Sequence, residues 1–190
     1  SLRRQRQMCI RDSFLDCASG LLSDRDRKEI TALRDMAKEI MDKGDSKLEA
    51  LILLLEDVVY NSDSKIIVFT EYLDTLKYVE RKLREKHPDW NDKILKLSSE
   101  ETSDEKKFRK VRRLFERSRR TRILLATDVV AEGVNLQVAN ILVNYEIPWS
   151  LIKLEQRLGR VWRLGQKREV EAYTFFMDNV ADSAALNSMY

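Results

Sequence analysis

Residues 122–166, RILLATDVVAEGVNLQVANILVNYEIPWSLIKLEQRLGRVWRLGQ, decide the fold of this chain. An apolar run, Ile123–Ala126, leads directly into Thr127-Asp128 and a turn of small residues. A second apolar run, Ile141–Tyr145, follows. After Pro148-Trp149 a helix is expected, ending in Gln156-Arg157-Leu158-Gly159-Arg160-Val161-Trp162-Arg163. Short apolar runs bounded by turn signals are buried strands, and one followed by a helix and another such strand is a parallel crossover unit. Arg160 and Arg163 stand three apart, beside a glycine that allows close backbone approach. A guanidinium is planar, permanently charged and forked, which suits a phosphate better than the point charge of lysine. Arginines at a helix end also cap carbonyls or pair with nearby acids, and here Glu155 and Glu169 are within sequence reach.

The pattern extends upstream. Ile66–Phe69 forms a strand, and Leu73, Leu76, Val79 and Leu83 lie on one face of the helix after it, which His87-Pro88 stops. Ile94–Leu97 forms the next strand. Thr102-x-x-Glu105 has the form of a capping box, opening a helix whose buried stripe is Phe108, Val111, Leu114 and Phe115. Val170–Phe176 supplies the last strand. Strands alternating with helices predict an α/β domain: a parallel sheet with helices on both faces, over residues 61–190. In such sheets ligands bind beyond the carboxyl ends of strands. Thr70, Ser98, Thr127-Asp128 and Tyr145-Glu146 all fall there.

Residues 1–60 are expected to be a helical segment. Ile30, Leu33, Ala37 and Ile40 form one stripe, which Lys43-Gly44 ends. Leu48, Leu51, Ile52, Leu55 and Val59 form a second, capped by Asp45-Ser46. These helices are expected to pack on the domain or to bridge to a neighbour.

The chain has 190 residues, 35% of them charged, with a net charge of only +3, so it is not a polycation as a whole. The charge is local. Lys106 to Arg122 holds ten basic side chains against the single acid Glu116, whereas residues 1–60 hold eleven basic and twelve acidic. Such a block is the footprint expected for a phosphate backbone, or else a solvated helix face. The only cysteines, Cys9 and Cys17, with the single His87 far away, cannot assemble a zinc site, so no metal centre is expected. Apolar runs fall short of the roughly 20 residues a membrane helix needs. An intracellular setting, cytoplasmic or nuclear, is the expectation.

Five glycines, at 20, 44, 133, 159 and 165, lack the spacing of the G-x-x-x-x-G-K-[ST] phosphate loop, and no Asp-Glu pair follows an apolar strand to hold magnesium. The segments quoted at the outset nevertheless resemble motifs V and VI of the superfamily-two helicases. Asn135-Leu136-Gln137, Asn144-Tyr145-Glu146, Pro148-Trp149 and Arg163-Leu164-Gly165-Gln166 are most similar to the C-terminal RecA-like lobe of Swi/Snf-type, RapA-like ATPases. Glu146 stands where that branch usually has aspartate, and Ser150 where asparagine often follows the tryptophan.

The resemblance implies the motor lobe of an ATP-dependent, double-stranded DNA translocase. ATP with Mg2+ would be held mainly by an N-terminal RecA-like lobe outside this stretch, so the chain alone is expected to be inactive. By the same resemblance, Arg160 and Arg163 supply arginine fingers. Gln156, Gly133, Asn135 and, less centrally, Arg157 lie at the interlobe ATP surface, with a structural pairing the alternative for Arg157. Thr127, Thr70, Ser98 and Trp149 contact the nucleic-acid backbone, while Trp162 packs between the arginines and orients them. Thr127 is equally suited to cap the helix after it. A strand-separating or RNA-directed helicase lobe, or a non-enzymatic nucleic-acid-binding module, are the alternatives.

Overall fold

A computed structural model describes residues 23–42, 44–128, 136–148 and 150–176, with the side chains of 37–42 left out. The chain divides into two compact units at Asp45/Ser46. The first contributes helix α1, Asp24–Asp42, opened by Ser23, whose backbone N–H and hydroxyl both donate to Asp26 Oδ2 at 2.9 and 2.7 Å. Gly44, at φ 106°, takes the left-handed conformation that ends a helix cheaply. Of the apolar stripe expected here, Ile30 and Leu33 are 50% and 65% exposed, and Ala37 and Ile40 lie outside the described side chains.

The second unit runs in the order α2 (Ser46–Asn61), β1 (Ile66–Thr70), α3 (Leu73–Lys86), β2 (Ile94–Leu97), α4 (Ser99–Thr102), α5 (Glu105–Arg117), β3 (Ile123–Thr127), β4 (Ile141–Asn144), α6 (Leu151–Val161) and β5 (Glu171–Thr174). Five strands pair in the order β2-β3-β1-β4-β5, every pair parallel. The strands are the expected ones within a residue or two, β5 being shorter at both ends than Val170–Phe176.

Alternation along each strand builds two cores. Ile66, Val68, Ile123, Leu125, Ile141 and Val143 face α2 and α3. Ile67, Phe69, Leu124, Ala126 and Leu142 face Phe115 of α5 and Val161 of α6. Period two on the strands and 3.6 on the helices thus cover both faces, as parallel sheets require.

Three sequence expectations need correction. The boundary expected at residue 60 falls earlier, at Asp45/Ser46, and of the two outcomes expected for the helices before it, α2 packs on the domain. Leu48, Leu51, Ile52, Leu55, Val58 and Val59 of α2 are buried in the first core, so the compact unit starts at Ser46. The capping box lies one turn earlier than Thr102-x-x-Glu105. Ser98 Oγ accepts from the Glu100 N–H at 3.2 Å, and Glu101 Oε2 accepts from the Ser98 N–H at 2.8 Å. Thr102 instead ends α4, its hydroxyl donating to the Ser98 and Ser99 carbonyls, and Asp104 caps α5 by accepting from the Lys106 and Lys107 N–H groups. Within α5 only Phe115 of the expected stripe is fully buried, and Leu114 is 37% exposed. Trp90, which carries no signal in the sequence, is wholly buried, stacks on His87 at 4.0 Å and donates from Nε1 to Tyr60 Oη at 3.1 Å.

Two basic residues that look like surface charge are structural. Lys65 Nζ donates to the Phe115 and Ser118 carbonyls at the end of α5. Arg122 Nη1 donates to the carbonyls of Val58, Val59 and Ser62 at the end of α2. Each satisfies carbonyls that a helix C-terminus leaves unpaired.

Leu55 and Leu53 lie two residues apart on α2, 0% and 66% exposed. Leu55→Ala is therefore expected to cost about 2–5 kcal/mol in urea unfolding, and Leu53→Ala at most about 0.5 kcal/mol. Equal, small losses from both would show that α2 is not part of the domain's core.

Candidate motor-lobe site

The carboxyl edge of the sheet gathers the expected residues. Thr70 and Thr127 are register partners across β1 and β3, and Ser98 follows Leu97, the partner of Ala126. Three hydroxyl residues thus stand in a row across adjacent strands, and Tyr145 continues it, its N–H donating to the Phe69 carbonyl at 2.9 Å. Strand alternation puts Thr70 and Thr127 on the α2/α3 side of the edge and Asn144 on the α5/α6 side.

These hydroxyls are buried, not open: Thr70 and Ser98 at 0% and Thr127 at 6% exposure. Thr70 Oγ1 reaches the Tyr72 carbonyl at 3.4 Å. Ser98 Oγ is fully engaged, donating to Glu101 Oε2 at 2.6 Å while accepting from Glu100, so its hydroxyl is a helix cap with nothing left for a phosphate. Gly133, Asn135 and Trp149 lie outside the described residues.

Helix α6 divides its arginines by period. Arg157 and Val161, four apart, point inward and are buried. Gln156 and Arg160, also four apart, occupy the adjacent stripe, with Gln156 exposed and Arg160 half-buried. Arg157 is 3% exposed, and its fork meets Asp128 bidentately, Nε to Oδ1 at 2.6 Å and Nη2 to Oδ2 at 2.8 Å. Nη1 donates to Asn144 Oδ1 at 2.8 Å, and the guanidinium lies 5.3 Å from the Phe69 ring centroid. Its partners are therefore Asp128 and Asn144. Its fork is committed within the lobe, the structural pairing that stood as the alternative to the nucleotide surface for Arg157.

The network extends further. Asn144 Nδ2 donates to Thr174 Oγ1 at 3.1 Å, and Lys153 Nζ bridges Glu71 Oε1 at 3.0 Å and Asp128 Oδ2 at 3.9 Å. Glu146 Oε2 accepts from the Glu71 N–H at 3.2 Å. Burial pushes the Glu146 carboxyl above its ordinary range, outweighing the backbone bond from Glu71, the Thr75 side chain and the charges of Lys47 and Arg157.

Beyond α6 the chain turns at Gly165, φ 100°. Gln166, which the sequence offered only as a motif match, fastens this loop. Its Nε2 donates to the carbonyls of Gln137 at 3.0 Å, Ala139 at 2.9 Å and Val161 at 3.2 Å, and Gln137 Nε2 returns a bond to the Leu164 carbonyl at 3.1 Å. Arg163 is carried exposed on the fastened loop. Trp162 is 68% exposed and so does not pack between the arginines as expected, while Leu164 is fully exposed. Arg163 and Trp162 line an open groove of about 850 Å³ that reaches Ala172.

Comparison with known proteins fits this geometry. The family model "Helicase conserved C-terminal domain" matches residues 46–165, beginning at the first residue of α2. The "Uncharacterized ATP-dependent helicase YqhH" of Bacillus subtilis is 28% identical over 188 residues, which is 98% of this chain and 32% of that protein. The "DNA repair and recombination protein RAD54" of Saccharomyces cerevisiae is 28% identical over 144 residues, 73% of this chain and 15% of that protein. The chain thus spans a third or less of these relatives. A crystal structure of the C-terminal part of the Fun30 ATPase domain shares the fold, with a TM-score of 0.64 and 19% identity, over 76% of this chain and 45% of that one.

Two outcomes follow from the buried charges. Asp128→Asn leaves a guanidinium buried without its counter-charge and is expected to lower stability by about 3–5 kcal/mol in denaturant titration; a loss under about 1 kcal/mol would mean the pair is not what holds α6. For Glu146 the folded-state carboxyl titrates above the unfolded one. Its stabilising contribution is complete below the ordinary carboxylate range and is lost as pH rises through the elevated folded value. Glu146→Gln should therefore raise the melting temperature at neutral pH and leave it nearly unchanged at pH 4. No gain at neutral pH would remove the burial argument.

Proposed function

The chain belongs to the helicase conserved C-terminal domain family and is the C-terminal lobe of a Swi/Snf-type ATPase, and from that footing we propose that it is half of an ATP-dependent double-stranded DNA translocase. The observation that carries the reading is the division of labour on and after α6. One arginine is turned inward onto Asp128, while Arg160 and Arg163 are carried on the outer stripe and on a loop fastened by Gln166.

In this reading ATP is bound chiefly by an N-terminal RecA-like lobe outside the present chain, together with Mg2+. Arg160 and Arg163 reach its phosphates when the lobes close. Charge developing on the transferred phosphoryl group meets two fixed guanidinium forks, an interaction stronger in the transition state than in the ground state. Gln156, beside Arg160 on the same stripe, and Gly133 with Asn135 complete the interlobe surface. Arg157 and Gln166 act by positioning and do not touch the nucleotide.

The nucleic acid lies along the carboxyl edge, where Thr127 and Thr70, backbone N–H groups and Trp149 meet phosphates. Because Thr127 is nearly buried, its hydroxyl meets a phosphate only with a small opening of the edge, which ties contact to lobe closure. Ser98 contributes through the short helix it caps and not through its hydroxyl. Phosphate contacts of this kind are indifferent to base sequence, as a motor requires. RAD54, named for DNA repair and recombination, supports DNA as the substrate.

In the intact protein, Arg160→Ala or Arg163→Ala is expected to lower steady-state ATP turnover by about a thousandfold or more, with DNA affinity changed little. Lysine at either position should rescue poorly. Near-normal turnover in both alanine variants rejects the finger role. Thr127→Val should uncouple DNA stimulation from ATP turnover while basal turnover persists. The present chain alone should hydrolyse no ATP above background, and magnesium-dependent turnover surviving repurification would overturn that. Stimulation by RNA duplex but not by DNA would redirect the substrate assignment.

A further inference from the structure

The basic block of the sequence does not lie where the motor motifs do. β2 ends at the carboxyl edge, and α5 carries the chain back to begin β3 at Ile123 on the opposite, amino edge. The C-terminal part of the block, Arg117 to Arg122, therefore sits at the far end of the strands from Thr70 and Thr127. Five residues at roughly 3.3 Å each put about 16 Å between the two edges.

There a recess of about 450 Å³ is lined by Lys65, Arg117, Arg119, Arg122 and Arg168, against only Asp63 and Glu116. Glu116 is itself paired with Arg112 at 2.9 Å. Helix capping accounts for Lys65 and Arg122, whose donors reach the ends of α5 and α2, and Arg168 Nη1 donates to the Asp63 carbonyl at 3.0 Å. It does not account for Arg117 and Arg119, which are exposed and make no hydrogen bond or ion pair among the described residues. Burial, and after it the neighbouring Arg122 and Arg168, push the Lys65 ammonium below its ordinary range against the opposing pull of Glu116. Ordinary surface charge spreads apart to avoid such like-charge neighbours. The recess also shares Arg117 and Ser118 with a shallow groove of about 600 Å³ along α5, lined by Arg109, Lys110 and Arg113. A single small anion would occupy only part of the recess. A groove continuing from it suits a chain of regularly spaced phosphates.

We propose that this amino-edge recess and the α5 groove form a second nucleic-acid contact surface, gripping the backbone phosphates of a strand other than the one at the carboxyl edge. Arg117 and Arg119 are its principal donors, with Lys65, Arg122 and Arg168 setting the positive floor. Such a surface lets one lobe hold two duplex segments at once, or one bent duplex at two points.

The test uses the isotope-labelled 190-residue chain titrated with a short duplex of mixed sequence and followed by amide chemical shifts. Amides from Arg117 to Arg122 and around Lys65 should move with added duplex. Arg117→Ser with Arg119→Ser, both exposed and leaving the fold and melting temperature intact, should abolish those movements. The same pair should also lower the slope of log affinity against log salt by about 2, roughly one per phosphate contact. Thr127→Val should leave the amino-edge shifts unchanged, so failure of the carboxyl-edge reading and failure of this one are distinguishable. Amino-edge amides that ignore the duplex, or a salt slope unaltered in the double variant, overturn the proposal. So does movement of the same amides by a poly-glutamate peptide but not by duplex.

Discussion

The contact between Arg157 and Asp128 is the constraint on which the rest of the site depends. A guanidinium left only 3% exposed is tolerated only with its counter-charge and its remaining donors satisfied, and Asp128, Asn144 and the Phe69 ring do this together. Asp128 directly follows β3, Asn144 ends β4 and Phe69 lies in β1, so one side chain ties α6 to the ends of three neighbouring strands. The tie fixes the helix in rotation as well as in position, because a planar fork accepts its partner in one orientation only. With rotation fixed, the period of the helix decides which way Gln156 and Arg160 face.

Much of this was legible beforehand, for identifiable reasons. Buried parallel strands are continuous apolar runs with sharp ends, and Ile66–Phe69, Ile94–Leu97 and Ile123–Ala126 are such runs, so the sheet and its carboxyl edge emerged within a residue or two. The stripe on α2 was equally plain; its destination was not. A periodic stripe says that a face is buried and never against what, so packing on the domain and bridging to a neighbour were both open for Leu51 and Leu55, which lie in the core.

The misreadings at the site share a different cause, competition for hydrogen bonds. Ser98 and Thr102 are both able to cap a helix, and each has an acid three residues on. The choice between them depends on where β2 releases the chain, a tertiary fact. A structural pairing was open for Arg157, but its partner Asp128 lies 29 positions away and is likewise a tertiary fact. Arg122 was counted in the basic block, and Lys65 drew no notice, because a helix C-terminus, made of main-chain carbonyls, has no letter in the sequence. Gln166 went unassigned on the same ground, since every acceptor it uses is a backbone carbonyl.

That last feature bears on how such a lobe changes over generations. The loop holding Arg163 is fastened at both ends through main-chain carbonyls, while the side chains of Trp162 and Leu164 project outward. Mutations at 162 and 164 therefore leave the fastening untouched, since any residue offers the same carbonyl. The two positions can drift, or follow changes in whatever surface they face, without a compensating change at Gln137 or Gln166. Separating the residues that hold a loop from those that show outward makes its exterior evolvable while its arginine stays in register.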